Sequence, residues 1–151
     1  MNGADDASCT HVELIRAIQQ SWSDPDPESF VSLFTPNGLF EDRTYGIVLS
    51  GHEQLRAHAY RMKKHNVGLS VEILTCDATE RTGLAEWELS HVFTGNFDGV
   101  DCTGTPIHIR GASIYEFEAG RIRRATDYWN YMEIVRSVGV LPKELRGFRT
   151  S

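Results

Sequence analysis

The sequence predicts an α+β fold: three N-terminal helices packed into a strongly curved antiparallel sheet, tapered like a cone. Three observations carry this. The N-terminal half shows apolar residues at helical spacing behind capping residues. From Leu69 onward the period changes to two, in long alternating runs. Glycine-rich turns separate those runs. A strongly twisted sheet of that length must bury one face, and the helices are the only cover the chain offers. The sheet is expected to wrap around them and leave one pocket at its open end.

Thr10 and Glu13 form a capping-box pattern, followed by Val12, Ile15, Ile18 and Trp22 at helical spacing. The predicted first helix therefore starts at Thr10, and residues 1–9 are read as a disordered lead. Asp24-Pro25-Asp26-Pro27 breaks the helix; Asp26 can cap a second one with Pro27 at its first position. That helix carries Phe30, Leu33 and Phe34 and is expected to stop at Pro36-Asn37-Gly38. A short strand over 39–42 follows. Ser50 with Glu53 opens the third helix through Leu55, Ala59 and Met62.

Strands are then predicted from Leu69 to Ile73, from Leu84 to Phe93 after a turn at Gly83, over 107–117, and from Arg121 to about Tyr131. Thr94 to Thr105 reads as a long hairpin loop, and Ala119-Gly120 as a turn. A tail helix carries Ile134, Val135 and Val138 and ends at Gly139 and Pro142. The domain spans 10–142, with 143–151 as a tail.

The chain has 151 residues, enough for one domain with a real core. Its net charge is −6 and its main basic cluster is Arg121, Arg123 and Arg124, so no nucleic-acid surface is expected. No apolar run is long enough for a membrane helix, and the polar start is unlike a signal peptide. A cytoplasmic protein with no membrane partner is expected. Cys9, Cys76 and Cys102 match no metal or redox motif and read as free thiols. His52, His58 and His65 do not converge on one metal, and His11 and His108 are isolated. No glycine-rich phosphate or dinucleotide motif is present, so neither metal nor cofactor is expected.

Three residues stand out for chemistry. Asp127 shares a strand face with Arg123, Ala125 and Trp129. A carboxyl beside an aromatic wall in a poorly hydrated pocket has its pKa raised, which suits proton transfer near neutral pH. The competing reading is a surface Asp paired with Arg124 or Arg110. His91 alternates with Leu89 and Phe93, placing an imidazole on an otherwise apolar wall. A satisfied core histidine is the competing reading. Asp42 ends Leu39-Phe40-Glu41-Asp42, with Glu41 pointing the opposite way; it reads equally as a second carboxylate or as a turn cap ahead of Arg43-Thr44. Trp129, Tyr115, Ser113, Leu89, Phe93, Trp87, Tyr45, Ile109 and Ile18 are the expected pocket lining.

Three stretches stand together in this element order: Phe34-Thr-Pro-Asn-Gly-Leu-Phe-Glu-Asp42 with Ser50-Gly51, then Phe117-Glu-Ala-Gly-Arg-Ile122, then Asp127-Tyr-Trp-Asn with Ile134-Val-Arg-Ser-Val-Gly139. By them the chain resembles the nuclear-transport-factor-2-like superfamily, which has a cystatin-like α+β roll. Within it, the chain resembles the SnoaL-like polyketide cyclases, ketosteroid isomerases and limonene-type epoxide hydrolases. By this resemblance Asp127 matches an acid/base Asp of the epoxide hydrolases and cyclases. His91 falls where one carboxylate of the hydrolase triad lies, and where bile-acid dehydratases of the superfamily place a catalytic His. Asp42 matches the isomerase's general base.

The isomerase's helical Tyr falls at Ile18 and its protonated Asp at Ser113; the hydrolase's Tyr, Asn and Arg fall at Phe40, Asp42 and Leu89. Neither specific activity carries over. What the resemblance implies is a cofactor-free acid/base enzyme on a small hydrophobic, polyketide- or terpenoid/steroid-like metabolite, a cyclase, isomerase or dehydratase. Asp127 would be the acid/base, His91 its partner and Asp42 a second carboxylate at the mouth. An epoxide hydrolase with Asp127 activating water is the second reading, and a non-catalytic ligand-binding domain the third. The expectation of catalysis fails if Asp127 and His91 lie more than about 8 Å apart or point into solvent, since proton relay needs hydrogen-bond reach or one water. A homodimer is implied, through the outward face carrying His108, Arg110, Ala112 and Ile114.

Overall fold

A computed structural model describes residues 3–65 and 68–140, with side chains from Thr10 onward. The described elements run α1 (Gly3–Ser21), α2 (Pro27–Ser32), β1 (Phe34–Asp42), β2 (Ile47–Ser50), α3 (Gly51–His65), β3 (Ser70–Ala78), β4 (Thr82–Val92), β5 (Asn96–Phe97), β6 (Val100–Asp101), β7 (Pro106–Glu118), β8 (Arg121–Trp129) and α4 (Met132–Ser137). Six strands form one sheet in the order β2-β1-β8-β7-β4-β3, and β5-β6 is a separate hairpin.

The helices lie where the apolar spacing puts them, with corrected ends. α1 starts at Gly3, so the helix extends seven residues before Thr10 and the supposed lead is helical from there. Asp26 caps α2 as expected: its Oδ2 accepts from the Ser29 N–H at 2.9 Å, and Pro27 takes the first position. α2 ends at Ser32, and the Pro36-Asn37-Gly38 segment read as its stop lies inside β1. The reason is non-local. β1 pairs in parallel with β8, Leu39 to Asp42 against Arg124 to Asp127, and its register shifts between Phe34 and Leu39 to absorb the prolyl and glycyl residues. The sheet is thus antiparallel except for this one pairing among the described strands. At α3, Gln54 rather than Glu53 reaches back, accepting from the Ser50 N–H at 2.9 Å. Pro142 and the tail lie outside the described residues.

Gly83 is inside β4, not at the turn, which is made by Thr79 and Thr82. Its missing side chain lets α1 approach: a Cβ there would sit 2.7 Å from Ile15 Cδ1. β7 alternates as predicted, with Ile107, Ile109, Ser113, Tyr115 and Phe117 buried and His108, Arg110, Ala112 and Ile114 exposed. Gly111 completes the inner row and carries the Trp87 ring across it. A Cβ at Gly111 would lie 2.4 Å from two atoms of that ring. Gly111→Ala is therefore expected to cost about 1–3 kcal/mol by overpacking. A thermal melt should fall by roughly 2–4 °C per kcal/mol; an unchanged melt with unchanged Trp emission would refute the packing argument.

The long Thr94–Thr105 loop holds the β5-β6 hairpin, whose Phe97 ring lies 6.1 Å from those of Phe93 and Tyr131. Cys76 and Cys102 are free thiols, and the side chain of Cys9 lies outside those described. No helix among the described residues is long and apolar enough to cross a membrane.

Candidate active site

The concave face of the sheet, α1 and the C-terminal end of α3 enclose a cavity of about 650 Å³. That is room for a drug-sized ligand. Asp127, His91 and Asp42 all line it, as do Trp129, Leu89, Phe93, Trp87, Tyr45 and Ile109. Ser113, Tyr115 and Ile18 do not. Ser113 and Tyr115 sit one layer behind the wall, and Ile18 is packed into the core.

Asp127 is the buried polar centre, 7 % exposed. The arginines proposed to neutralise it go elsewhere: Arg124 pairs with Glu41 and Glu116, and Arg110 with Glu86. Arg123 leaves the Asp127 face, because the β7–β8 register shifts at Glu116 and Phe117 and skips it; it pairs with Glu116. Ser113 lies opposite Asp127 on β7 and donates its hydroxyl to Oδ1 at 2.5 Å. That direction is forced. Gln19 Nε2 and Trp87 Nε1 both donate to Ser113 Oγ, at 3.0 and 2.8 Å, so the hydroxyl's own hydrogen is left for Asp127. Gln19 Nε2 also donates to the Tyr115 hydroxyl at 2.7 Å. Oδ1 is thereby fixed as an acceptor, and any proton Asp127 carries must sit on Oδ2, which has no partner among the described residues.

Burial is the main force on this carboxyl. It raises the pKa, the Ser113 hydrogen bond pulls it back, and the charge of Asp42 raises it again, leaving it at about 7. Burial, with the charge of Asp127 beside it, likewise pushes the Tyr115 phenol up.

Asp42 is a turn cap. Its Oδ1 accepts from the Thr44 and Tyr45 N–H groups, both at 2.9 Å, and its Oδ2 from the Trp129 indole at 3.1 Å. Three of its roughly four accepting directions hold the turn and one pocket wall, leaving one on Oδ2, and it stands beside Asp127 in the β1–β8 ladder and not at the mouth of the cavity. Glu41 points away, accepting from Thr126 Oγ1 at 2.9 Å.

His91 and Asp127 are not brought together. Asp127 pairs with Ser113, which pairs with Ala85; His91 pairs with Ile107, six residues further along both β4 and β7. Six residues of strand span about 20 Å before curvature. No hydrogen bond joins the two. The Asp127–His91 relay on which the expectation of catalysis depended is absent: the two are separate groups at opposite ends of one cavity, and any acid/base role is left to Asp127 alone. Periodicity shows which face a residue occupies but not how far apart two residues lie along it.

The histidines away from the site are structural. His11 donates to the Thr79 carbonyl at 2.9 Å and stacks on Phe117. His52 donates to the Phe34 carbonyl at 3.1 Å. His108 faces outward beside Ser90, 3.1 Å away. His58 stacks on Phe40 with Trp22 at its edge, its Nε2 enclosed without a partner. Burial and then the charge of Arg61 lower its pKa to about 4, against a smaller pull from Asp42. Its folded pKa lies below the ordinary value of 6.5, so the unfolded chain takes up the proton first. Stability is then lost as pH falls from about 6.5 to 4, by up to about 3 kcal/mol. His58→Phe should flatten this limb in urea titrations; an unaltered limb would sink the assignment. No group of three or more metal-ligating side chains occurs among the described residues.

Gln19 was missed from the sequence. It follows Ile15 by four residues and precedes Trp22 by three, a polar residue on the apolar stripe of α1. That position was the available signal.

The family model described as SnoaL-like polyketide cyclase matches residues 12–138. The chain belongs to the SnoaL-like polyketide cyclase family. Solved structures share its fold. One is a Catenulispora acidiphila protein with a ketosteroid isomerase-like fold in complex with trimethylamine: 20 % identity, TM-score 0.71, covering 87 % of this chain and 95 % of that one. TsrD of Streptomyces laurentii is similar at 18 % identity and TM-score 0.70, covering 88 % and 97 %. An M. tuberculosis LEH-like epoxide hydrolase is similar at 15 % identity and TM-score 0.69, covering 87 % and 90 %. No curated protein matches the chain in sequence. The SnoaL-like assignment fixes the roll architecture, and the chemistry rests on the side chains the cavity presents.

Proposed function

We propose that this SnoaL-like protein is a cofactor-free acid/base enzyme that moves a proton on a small hydrophobic carbon acid, in cyclase, isomerase or dehydratase chemistry. The observation that carries this reading is Asp127: buried, titrating at about 7, locked at Oδ1 and open at Oδ2 toward an apolar cavity. A carboxyl half-ionised near neutrality is matched to taking and returning a proton. In the reaction Oδ2 removes a proton from the carbon next to a carbonyl. The C–H electron pair moves into the enolate, and the same carboxyl later returns the proton. A positioned group of this kind is worth about 10²–10⁴ in rate, enough for a carbon acid already activated by its own carbonyls. Trp87, Leu89, Ile109 and Trp129 supply walls for a polyketide- or terpenoid/steroid-like skeleton.

The test is hydrogen–deuterium exchange at the α-carbon of an apolar bicyclic ketone, 2-tetralone, in D₂O. Exchange above the buffer rate that is lost in Asp127→Asn supports the reading. Equal exchange by the two proteins removes Asp127 from its role. If oxygen-18 from water instead appears in the diol of an apolar epoxide, the protein is a hydrolase that uses Asp127 to activate water. If both tests are blank, a ligand-binding domain is the better description.

A homodimer fits the outer sheet face. Leu84 lies opposite Ile114, and Ala112 opposite Tyr128, and the three large side chains are about half exposed. Light scattering should give twice the chain mass, and Ile114→Lys should halve it. A monomeric wild-type protein would end this part of the proposal.

A further inference from the structure

The cavity is electrically polarised. Its two carboxylates stand side by side, since Asp42 pairs directly with Asp127 in the β1–β8 ladder. Three basic side chains, His91, Lys64 and His65, line it as well, and His91 lies at the far end from the carboxylates. His91 is near the end of β4, beside Ser90, which pairs with Ser70 at the start of β3. α3 ends five positions earlier in the chain, at His65, and Lys64 and His65 both line the same cavity as His91. Lys64 and His65 are exposed and His91 partly so, which marks this end as the mouth.

Basic residues in the last turn of a helix favour the helix dipole, and that alone explains their place in the sequence. It does not explain why their side chains turn to the cavity, nor why no carboxylate meets them there. Among the described residues neither Lys64 nor His65 makes an ion pair. The nearby Glu72 and Glu88 are paired with each other's strand on the exposed, outer face. His91 adds a directional cue. Its Nδ1 is enclosed with no partner, so the imidazole proton is better placed on Nε2, the nitrogen left to the cavity as a donor. In a chain of net charge −6, three donors are thus collected at the entrance of a largely apolar cavity.

We infer that the mouth holds an anionic group of the ligand, so that the substrate is an apolar ring skeleton with a carboxylate at one end and its reactive carbon at the other. The inference rests on the acid/base reading for the inner end only. The carboxylate is bound by Lys64, His65 and the Nε2–H of His91. The skeleton lies along Trp87, Leu89 and Ile109. The reactive carbon then falls at Asp127, with the ligand's own negative charge kept at the far end from the two carboxylates. Held this way round, the ligand avoids like-charge repulsion; reversed, it meets it. Orientation is therefore set electrostatically as well as by shape.

The test uses two probes that differ only in charge: anthraquinone-2-carboxylate and its methyl ester. Trp22, Trp87 and Trp129 line the cavity, so binding reads out as quenching of tryptophan emission. The acid is expected to bind about ten-fold more tightly than the ester at low salt, since each partly exposed charge contact is worth roughly two- to five-fold. The advantage should shrink between about 20 and 500 mM NaCl as the contacts are screened. Lys64→Met and His91→Leu should each reduce the acid-to-ester ratio about three-fold, the acid losing more affinity than the ester. Asp127→Asn should leave the preference for acid in place. Equal binding of acid and ester, or a ratio that survives the Lys64→Met/His91→Leu double variant, overturns the inference. Loss of 2-tetralone exchange in Asp127→Asn would still stand in that case, because that ketone carries no anion. If neither probe binds, the inference falls, and the ketone exchange decides the catalytic reading separately.

Discussion

Replacing Asp127 by Asn is expected to lower α-proton exchange by about 10²–10⁴-fold and, at the same time, to make the protein more stable above neutral pH. The amide keeps the Oδ1 acceptor for Ser113 and puts an NH₂ where Oδ2 stood, so the hydrogen-bond network survives. The stability gain follows from linkage. The folded pKa of about 7 lies above the ordinary 3.8, so the folded chain holds a proton that the unfolded chain has already released. The contribution of Asp127 is fully present below pH ~4, is lost as pH rises toward 7, and stays lost above it. The range corresponds to roughly 4 kcal/mol as an upper bound. Asn has no such loss. The variant should match the wild type in urea titrations at about pH 4 and exceed it by several kcal/mol at about pH 8. The His58 limb is common to both proteins and cancels in the difference. A variant no more stable at pH 8 would mean that Asp127 is not held as a buried, reluctant carboxylate.

Ser113→Ala should have the second largest effect. The one hydroxyl receives N–H groups from Gln19 and Trp87 and donates to Asp127. Its removal leaves buried polar groups short of a partner, each worth about 1–3 kcal/mol, so a loss of about 3 kcal/mol is expected. Activity should respond in a way that destabilisation alone does not produce. The Ser113 hydrogen bond lowers the Asp127 pKa, so its loss raises it further. The pH–rate profile for proton abstraction, which needs ionised Asp127, should move to higher pH. Ser113→Thr, which keeps a hydroxyl, should restore the profile at least in part. A profile that stays in place in the Ala variant would separate Ser113 from the carboxyl it faces.

Much of this fold was legible from alternation. β7 could be read residue by residue, and the inner row of Trp87, Leu89 and His91 on β4 followed from the period of two. Asp127 was legible because a lone carboxyl sat between Ala125 and Trp129. What failed was whatever depended on a distant strand. Pro36 to Gly38 look like a helix stop locally, yet pairing with β8 draws them into β1. Asp42 read equally as a second carboxylate or a turn cap; the fold makes it a cap, its oxygens meeting the Thr44 and Tyr45 N–H groups, and the Trp129 indole that also reaches it comes from distant β8. The His91 partnership failed for the same cause, since its distance from Asp127 is set by register across β8, β7 and β4. Gln19 hid in plain view, because a single glutamine on an apolar stripe is commonly passed over as a surface residue.

The parallel ladder between β1 and β8 has a bearing on how the protein reaches its folded state. It joins residues 39–42 to 124–127, and Gln19 meets Ser113 and Tyr115 across separations of 94 and 96 residues. Contacts this distant along the chain are slow to form, because loop closure must precede any reward. The antiparallel β3-β4 and β7-β8 hairpins can assemble early from their neighbours. The ionisable centre cannot: during synthesis its pocket stays open until β8 has emerged and found β1. Refolding followed by tryptophan emission should therefore lag behind backbone ordering of the hairpins, with the cavity around Asp127 as the last part to close.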